Sequence, residues 1–380
     1  MPRRRSKSVL MASAWWNEDI IKGVARYAVE AGWHLDMQMS LTGRLPTDWS
    51  GDGLIVMPTP KLKGMRSLLR YADCPVVAMN LSDPGLQLHR MAFDSEAIGV
   101  MAARHFLERA FKSFAWYSSN WENVEKLRCD SFVDTVAKAG FDCTVLPWPK
   151  HRVELEDTWQ NRQKWLQRRL SKLPKPLAVF STDDTVAVEV IEACFGAKLS
   201  IPYDVAVLGV GNVEIFREST SVPLSSITVD FERLTHDACE LLAKLMRGRK
   251  IPIETRLLPP GEIAVRRSTD TFVSKNEEVG KALRFMFEHF PESIGIPEIT
   301  RASGTSKSRL YLAFRSELGQ PPSHVLNRIR IDKARRMLRE TRDNVSEISK
   351  ACGFGDPVNL YRCFKRAGLK PPQKHRQVSS

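Results

Sequence analysis

The chain has 380 residues, a formal net charge of +13 and 43% hydrophobic residues. A chain of this length can bury two or three cores, and no run approaches the ~18 apolar residues of a membrane span. The seven cysteines are scattered without a C-x-x-C pair, which argues against a metal site or a disulfide framework and favours reduced thiols.

The positive charge is concentrated towards the C-terminus. From Thr271 onward the chain has 21 Lys or Arg and 11 Asp or Glu, so about +10 of the +13 lies in the last 110 residues. A cationic C-terminal domain on a nearly neutral body favours nucleic acid as its partner.

The N-terminus has some features of a signal peptide, with Arg3 to Arg5 before a short apolar stretch that ends at Ala14. Only about four residues precede its A-x-A motif, too few for the apolar region of 7–15 residues that such a signal needs. We therefore expect a soluble cytoplasmic protein that makes no membrane contact.

The first two thirds of the chain alternate short apolar strands with amphipathic helices. Strands are predicted at 8–14, 33–39, 53–57, 75–79, 113–117, 142–146, 177–180, 204–210 and 223–229, and helices at 17–31, 61–71, 97–110, 125–140, 159–173, 186–195 and 230–247. This alternation is typical of doubly wound parallel sheets. Because the rhythm restarts at Ser113, we expect two α/β lobes with a ligand cleft at the carboxyl ends of their strands.

A last strand is predicted where Leu258 begins a segment that runs through Asp270 into a linker. We therefore divide the chain into a two-lobed ligand sensor at residues 1–267, a linker at 268–274 and a C-terminal domain at 275–380. The C-terminal domain is predicted to be all-α.

A helix, a tight turn and a second helix are predicted between Asn344 and Lys365. Asn344 is a good N-cap with Glu347 at the N3 position, Gly353 suits the positive φ of a helix stop, and Asp356-Pro357 opens the next helix. This is the pattern of a helix-turn-helix whose second helix lies in the DNA major groove.

The same pattern occurs once upstream. Pro297 starts a helix, Gly304 marks a turn, and Leu310 and Phe314 lie on one face of the following helix. Residues 323–340 between the two units predict a helix about 27 Å long at 1.5 Å per residue. A spacer of that size can set two recognition helices about one DNA turn, ~34 Å, apart.

Both regions resemble known families. The C-terminal domain resembles the AraC-type DNA-binding domain at Gly304, Phe314, Gly319, Ala334, Ile348, Gly353, Phe354, Phe364, Lys365, Pro372 and Arg376. The N-terminal region resembles the LacI/GalR-type periplasmic-binding-protein sensor at Phe93-Asp94, Ile98-Gly99, Arg128, Phe132, Thr182 to Asp184, Ala187, Ile201 to Gly209 and Val222 to Ile227. The combination resembles the XylR family of xylose-operon activators. It implies a periplasmic-binding-protein-like sensor followed by an all-α domain with two helix-turn-helix units.

The sensor resemblance implies a sugar site in the cleft. Arg128 and Asp184 stand where the family places ligand contacts, and the chain adds further candidates near predicted strand ends: Trp15, Trp16, Asn17, Asp94, Trp148, Asp183 and Asn212. Each tryptophan can equally be a core or hinge residue, and Asp183 or Asp184 can simply cap the helix that follows. Gly211 stands where the family usually has an acidic residue, so the sugar itself stays open.

The DNA-binding resemblance implies which side chains face the groove. They are Ser308, Tyr311 and Leu312 in the first unit and Val358, Asn359 and Arg362 in the second. Arginine recognises guanine and asparagine recognises adenine through paired hydrogen bonds, so the second unit is expected to discriminate better. The phosphate candidates are Lys307, Arg309, Arg315, Lys365, Arg366, Lys370, Lys374 and Arg376.

We therefore expect a sugar-responsive transcription regulator with no cofactor, active as a homodimer through its sensor and contacting RNA polymerase if it is an activator. Alternatives are a regulator that answers to a non-sugar molecule and an enzyme fused to an AraC-type DNA reader. The enzyme class needs an activated cysteine, whereas Cys352 and Cys363 fall within the helix-turn-helix pattern. A transport binding protein is disfavoured by the basic C-terminus.

Overall fold

The computed structural model describes residues 6–13, 17–46, 49–59, 62–119, 122–148, 156–218, 221–274 and 276–376. Within these ranges no helix is long and apolar enough to cross a membrane.

The first lobe is built on a six-stranded sheet. Its N-terminal elements are β1 (Ser8–Ser13), α1 (Glu18–Glu30), β2 (His34–Asp36), α2 (Gln38–Thr42), β3 (Gly53–Met57), α3 (Met65–Arg70), β4 (Val76–Ala78) and β5 (His89–Phe93). The predicted strand at 33–39 is wrong in its second half. The Asp36 carboxylate accepts a hydrogen bond from the Gln38 backbone N–H at 2.8 Å, and α2 begins there.

The second lobe repeats the arrangement with its own six-stranded sheet. Its elements are α4 (Ser95–Leu107), β6 (Ser113–Ser118), α5 (Asn123–Lys138), β7 (Cys143–Pro147), α6 (Trp159–Lys172), β8 (Leu177–Ser181), α7 (Asp184–Gly196), β9 (Val205–Gly211), α8 (Glu214–Glu218) and β10 (Ser225–Thr228). Parallel pairing joins β7, β6, β8, β9 and β10 in that order. The predicted fold class, two doubly wound α/β lobes, is confirmed.

After β10 the chain crosses between the lobes twice more. Helix α9 (Phe231–Met246) and β11 (Thr255–Leu258) complete the first lobe, where β11 pairs with β5. Strand β12 (Ile263–Ala264) then pairs antiparallel with β10 in the second lobe. Phe93 and Val229, at two of the crossings, pack against the cores of both lobes.

The segment that follows β12 is packed against the second lobe. The Ser268 hydroxyl donates a hydrogen bond to the Val207 carbonyl at 2.6 Å, and the Val273 N–H donates one to the Arg109 carbonyl at 3.0 Å. The predicted linker therefore forms a fixed connection in which Ser268 and Thr269 are buried.

The C-terminal domain is helical, as predicted. Its helices are α10 (Glu277–His289), α11 (Ile296–Ser303), α12 (Lys307–Leu318), α13 (Pro322–Glu340), α14 (Val345–Ala351) and α15 (Pro357–Arg366), followed by a 3-10 turn at Pro372–His375. Val325 and Ile329 of α13 belong to the core of the first helix-turn-helix, and Ala334 and Leu338 belong to the core of the second. One spacer helix therefore fixes the relative position of both units.

Candidate ligand cavity and DNA interface

A cavity of about 470 Å³ lies between the two lobes, at the carboxyl ends of their strands. The first lobe contributes mainly apolar side chains, and the second lobe contributes most of the charge. The lining includes Met57, Met79, Phe93 and Phe231 from the first lobe, and Glu122, Glu125, Arg128, Thr182 and Asp183 from the second. The cleft position predicted from the strand rhythm is thus found in the structure.

Arg128, on α5, brings a positive charge to the cavity. Its Nη1 group donates a hydrogen bond to the Thr182 carbonyl, while its Nε atom is buried without a hydrogen-bond partner among the described residues. Burial lowers the pKa of Arg128, and the nearby carboxylates of Glu125 and Asp183 oppose that effect. A ligand acceptor in the cavity could partner this guanidinium.

Three carboxylates line the cavity with it: Asp183, which was predicted, and Glu122 and Glu125, which were not. Asp183 caps α7 by accepting a hydrogen bond from the Val186 N–H at 2.9 Å, and burial raises its pKa. Glu125 accepts a hydrogen bond from the Glu122 N–H at 3.0 Å, and burial raises its pKa as well. The E-x-x-E pair at the start of the helix that carries Arg128 was the sequence signal for Glu122 and Glu125.

Asp184 lies beneath the cavity and is not among its lining residues. Its carboxylate accepts hydrogen bonds from the Ser226 hydroxyl at 2.6 Å and the Val213 N–H at 2.9 Å. A Cβ on Gly209 would come within 2.3 Å of this carboxylate, so β9 needs glycine there. Burial raises the pKa of Asp184 to about 6. The residue thus joins α7, β9 and β10 below the site.

Several other sequence candidates also lie away from the cavity lining. Asn17 and Asp94 cap α1 and α4, accepting hydrogen bonds from Ile20 N–H at 3.0 Å and Ala97 N–H at 2.9 Å. Asn212 Oδ1 accepts a hydrogen bond from Arg266 Nη2 at 2.7 Å, and its neighbour Gly211 lines the cavity. These three side chains thus have structural partners in the folded chain and lie outside the cavity lining.

Trp148, a predicted ligand contact, lies in the core of the second lobe. It is fully buried in the second lobe, where its indole N–H donates to Asp157 at 2.8 Å and its ring meets Trp165 edge-on at 5.6 Å. Trp15 and Trp16 lie outside the described residues.

Direct hydrogen bonds bridge the two lobes beside the cavity. The Thr59 hydroxyl of the first lobe donates to the Glu122 carboxylate of the second at 2.5 Å. The Asn123 side-chain amide of the second lobe donates to the Leu81 carbonyl of the first at 2.9 Å. Since these bonds need the lobes to be close, the structure represents a closed arrangement.

The first helix-turn-helix consists of α11, a turn at Gly304 and α12. Gly304 has a φ of 70°, and Ser306 caps α12 by accepting a hydrogen bond from the Arg309 N–H at 3.3 Å. The candidate base-reading residues Ser308, Tyr311 and Leu312 lie on the side of α12 away from its buried Leu310, and Leu312 is 71% exposed. The three candidate base-reading side chains of α12 are thus all uncharged.

The second unit has the predicted caps at both of its helices. Asn344 and Glu347 form a capping box on α14, Gly353 has a φ of 74°, and Asp356 caps α15 by accepting a hydrogen bond from the Asn359 N–H at 2.8 Å. Leu360 and Phe364 are buried beneath it.

The base-reading candidates on α15 are linked to one another. Arg362 Nη1 donates to the Asn359 side-chain carbonyl at 3.1 Å, and the Asn359 amide donates to Asp356 Oδ2 at 2.9 Å. Val358 is 64% exposed beside them. Asn359 would have to release these partners in order to bind adenine, whereas Arg362 is exposed and has only the bond to Asn359 to give up among the bonds named here.

Most phosphate candidates are exposed on the DNA domain. They are Lys307, Arg309, Arg315, Lys365, Arg366, Lys370 and Lys374. Arg309 pairs with Glu278 at 3.2 Å, and the partly buried Arg376 donates to the Asp343 carbonyl. Arg376 therefore ties the C-terminal turn to the loop before α14, a structural role that competes with phosphate binding.

The cysteines of this domain are not activated for catalysis. Cys352 is buried beneath the second unit, and burial raises its pKa to about 12. A thiol with such a pKa stays protonated near neutral pH. Within the described residues, no three His, Cys, Asp or Glu side chains are grouped so that they could hold a metal ion.

Comparisons with known proteins match both halves of the chain. Residues 103–269 match the periplasmic binding protein-like domain family, and residues 299–377 match a helix-turn-helix domain family. The xylose operon regulatory protein of Escherichia coli strain K12 is 26% identical over 389 aligned positions, covering 100% of this chain and 98% of the relative. The protein of the same name from Haemophilus influenzae is 24% identical and covers 96% of each chain. A solved structure described as the xylose-binding transcription activator xylR has a TM-score of 0.61 at 24% identity and covers 98% of both chains.

The fold, its two helix-turn-helix units and these matches define a transcription regulator. In it a periplasmic binding protein-like domain is followed by a helix-turn-helix domain. The chain is XylR-like in its order of domains and similar along its whole length to the xylose operon regulatory proteins.

Proposed function

We propose that this regulator senses a sugar, of the pentose class to which xylose belongs, and activates an operon for its catabolism in the cytoplasm. The observation that carries the proposal is the interlobe cavity, in which buried Arg128 faces Glu125 and Asp183. The names of its full-length relatives favour a pentose within that class.

The cavity has the chemistry that a sugar needs. A pyranose presents hydroxyls that both donate and accept, and the lining offers a guanidinium donor and carboxylate acceptors for them. Phe93 and Phe231, whose rings lie edge-on at 5.5 Å, offer apolar surface to the C–H faces of the ring. Binding between the lobes would favour the closed arrangement that the Thr59–Glu122 bond already marks.

One observation favours a second candidate, a regulator of a non-sugar small molecule. Gly211 lines the cavity with a φ of 125°, and a side chain there would be strained and would meet Val213 at 3.3 Å. No carboxylate is therefore offered from the strand end where the sensor family usually has one. The carboxylate at this end of the cavity comes instead from Asp183, the N-cap of α7. An experiment is needed to decide between a sugar and a non-sugar ligand.

Two partners complete the proposal. A homodimer through the sensor would place four helix-turn-helix units on DNA, and an activator would contact RNA polymerase. Double-stranded operator DNA is the macromolecular ligand.

The test is a thermal-shift screen of pentoses and hexoses on the full chain, followed by calorimetry with each sugar that raises Tm. A ligand that binds only the native state raises Tm, because it stabilises that state by RT ln(1 + [L]/Kd), where [L] is the free ligand concentration. We expect D-xylose or a related pentose to stabilise the chain. Stabilisation by none of the sugars, together with a shift from a non-sugar metabolite extract, would support the second candidate.

A further inference from the structure

Glu262 lies where the chain crosses from the first lobe to the second. It follows β11, which pairs with the first-lobe sheet, and directly precedes β12, which pairs with the second-lobe sheet. Its backbone is bonded to another crossing strand: Thr228 N–H donates to the Glu262 carbonyl at 2.9 Å, and Gly261 N–H donates to the Thr228 carbonyl at 2.8 Å. The next residue after Thr228, Val229, lines the cavity. A change in lobe angle therefore acts on Glu262 through both crossing strands.

The Glu262 side chain points to the DNA domain. Its carboxylate pairs with Arg335 at 2.7 Å and Arg339 at 3.1 Å, both on α13, and with His375 Nδ1 at 2.8 Å. Burial alone would raise the pKa of Glu262, but the His375 hydrogen bond and the Arg335 charge outweigh it and lower the pKa to about 2. The single carboxylate of Glu262, at the crossing between the lobes, thus pairs with three basic groups of the DNA domain.

Both arginines are largely buried, and Glu262 is the closer carboxylate for Arg335, whose Nη1 lies 4.0 Å from Asp332. The side chains of Arg335 and Arg339 are only 12% and 9% exposed. A buried guanidinium that loses its anionic partner is strongly destabilised, since water does not replace the lost interaction. When Glu262 is displaced, α13 can keep the contact by moving with it. Otherwise α13 has to shift so that water reaches Arg335 and Arg339.

Both DNA-reading units are attached to what Glu262 holds. Helix α13 contributes to the cores of both units. The His375 ring also meets Phe364, in the core of the second unit, edge-on at 5.4 Å. A displacement at Glu262 is therefore passed to α12 and α15 together.

The remaining ion pairs of this interface are carried by the body of the second lobe or by the segment packed against it. Arg109, at the end of α4, pairs with Asp332 at 2.7 Å, and its neighbour Glu108 pairs with Arg328. Asp270 pairs with Lys333. These pairs fasten α13 to one lobe, whereas Glu262 alone among these acidic partners stands on a crossing between the lobes.

We propose that the Glu262 contact with Arg335, Arg339 and His375 is the interface that transmits the lobe arrangement to the DNA domain. The other ion pairs serve as the fixed support around which α13 moves. This inference rests on the proposed function in one respect, that a ligand in the cavity sets the lobe angle.

The first test compares Glu262→Gln with Glu108→Gln in the full chain, because each removes one carboxylate facing α13. DNA affinity is measured with and without D-xylose, on a duplex that the wild-type chain selects from a random pool. A typical allosteric coupling changes affinity by about 5- to 150-fold. We expect Glu262→Gln to bring this ratio close to one with D-xylose affinity by calorimetry unchanged, and Glu108→Gln to keep it. An unchanged ratio in Glu262→Gln overturns the proposal.

The second test needs no ligand and separates this inference from the sugar assignment. A Cβ at Gly261 would come within 2.3 Å of Thr228 Oγ1, so Gly261→Ala perturbs the crossing without touching the DNA domain. We expect it to change DNA affinity in the wild-type background and to have no effect in the His375→Gln, Arg335→Gln, Arg339→Gln background, which keeps Glu262 but removes its three basic partners. Equal effects in both backgrounds overturn the proposal, even if no sugar binds and the proposed function fails.

Discussion

In the cavity Arg128 and Asp183 are partly enclosed by protein, whereas on the DNA face Arg362 and Lys365 are open to water. Enclosed charges interact strongly and demand a partner of fitting shape, while exposed charges interact weakly one by one and act together on a polyanion. The two faces therefore suit different ligands, a single small polar molecule and a long charged duplex. The effects of substitutions on ligand binding should accordingly differ between the two faces, both in magnitude and in their dependence on salt.

The largest expected effect is that of Arg128→Ala on sugar binding. A charged donor that grips a ligand in a partly dry cavity contributes about 1.5–3 kcal/mol, roughly ten- to hundredfold in Kd. Calorimetry with the sugar found in the screen measures it. Lys126→Ala is the matched control, because Lys126 lies on the same helix but is exposed and paired with Asp130. Full affinity in Arg128→Ala would remove Arg128 from the site.

Asp184 is expected to make the free energy of unfolding depend on pH, by an amount comparable in size to the effect of Arg128→Ala on binding. Its folded pKa of about 6 lies above its usual 3.8, so between these values the folded chain holds a proton that the unfolded chain has released. Stability relative to Asp184→Asn should therefore fall as pH rises through that window, by on the order of 3 kcal/mol. Denaturant titrations across the window measure the difference. Asp204→Asn, whose wild-type pKa is lowered by Ser200, should show no such fall.

A smaller and sequence-dependent effect is expected from Arg362→Ala. Loss of a bidentate contact to guanine costs about 1–3 kcal/mol at that base pair. Fluorescence anisotropy on the selected duplex and on single-base variants should show the loss at particular positions. Arg366→Ala, on the same helix, should weaken selected and random DNA alike. Equal losses on both DNAs in Arg362→Ala would refute direct base reading by Arg362.

The smallest effect is expected from single phosphate contacts. Lys365→Ala or Lys370→Ala should lower the slope of log affinity against log salt by about 0.9, with little change in sequence preference. A salt titration of DNA binding measures the slope. Lys22→Ala, in the sensor, should leave it unchanged; a similar change there would mean that general net charge, rather than a contact, sets the slope.

Features of the fold that depend on residues close together in the sequence could be predicted from the sequence. The cap at Asn344, the positive φ at Gly304 and Gly353, and the buried pair Leu360 and Phe364 follow from neighbours within one helix turn. The strand and helix alternation likewise predicted both lobes and the place of the cavity.

Placement that depends on distant residues could not be predicted in this way. Trp148 follows a strand, as a ligand contact would, but Asp157 and Trp165 draw it into the core. Strand β5 was missed because it carries His89 and Arg90, yet buried Arg90 is satisfied by the carbonyls of Asn80, Asp83 and Leu86. Glu262 meets His375 across more than a hundred residues, a pairing that no local pattern contains.

The most direct test of the account measures DNA affinity of the full chain with and without the sugar, on a duplex selected by the chain itself. A regulator built as described should change its DNA affinity by about 5- to 150-fold when the cavity is filled. The same Kd with and without a sugar that calorimetry shows to be bound would contradict the link between the two domains.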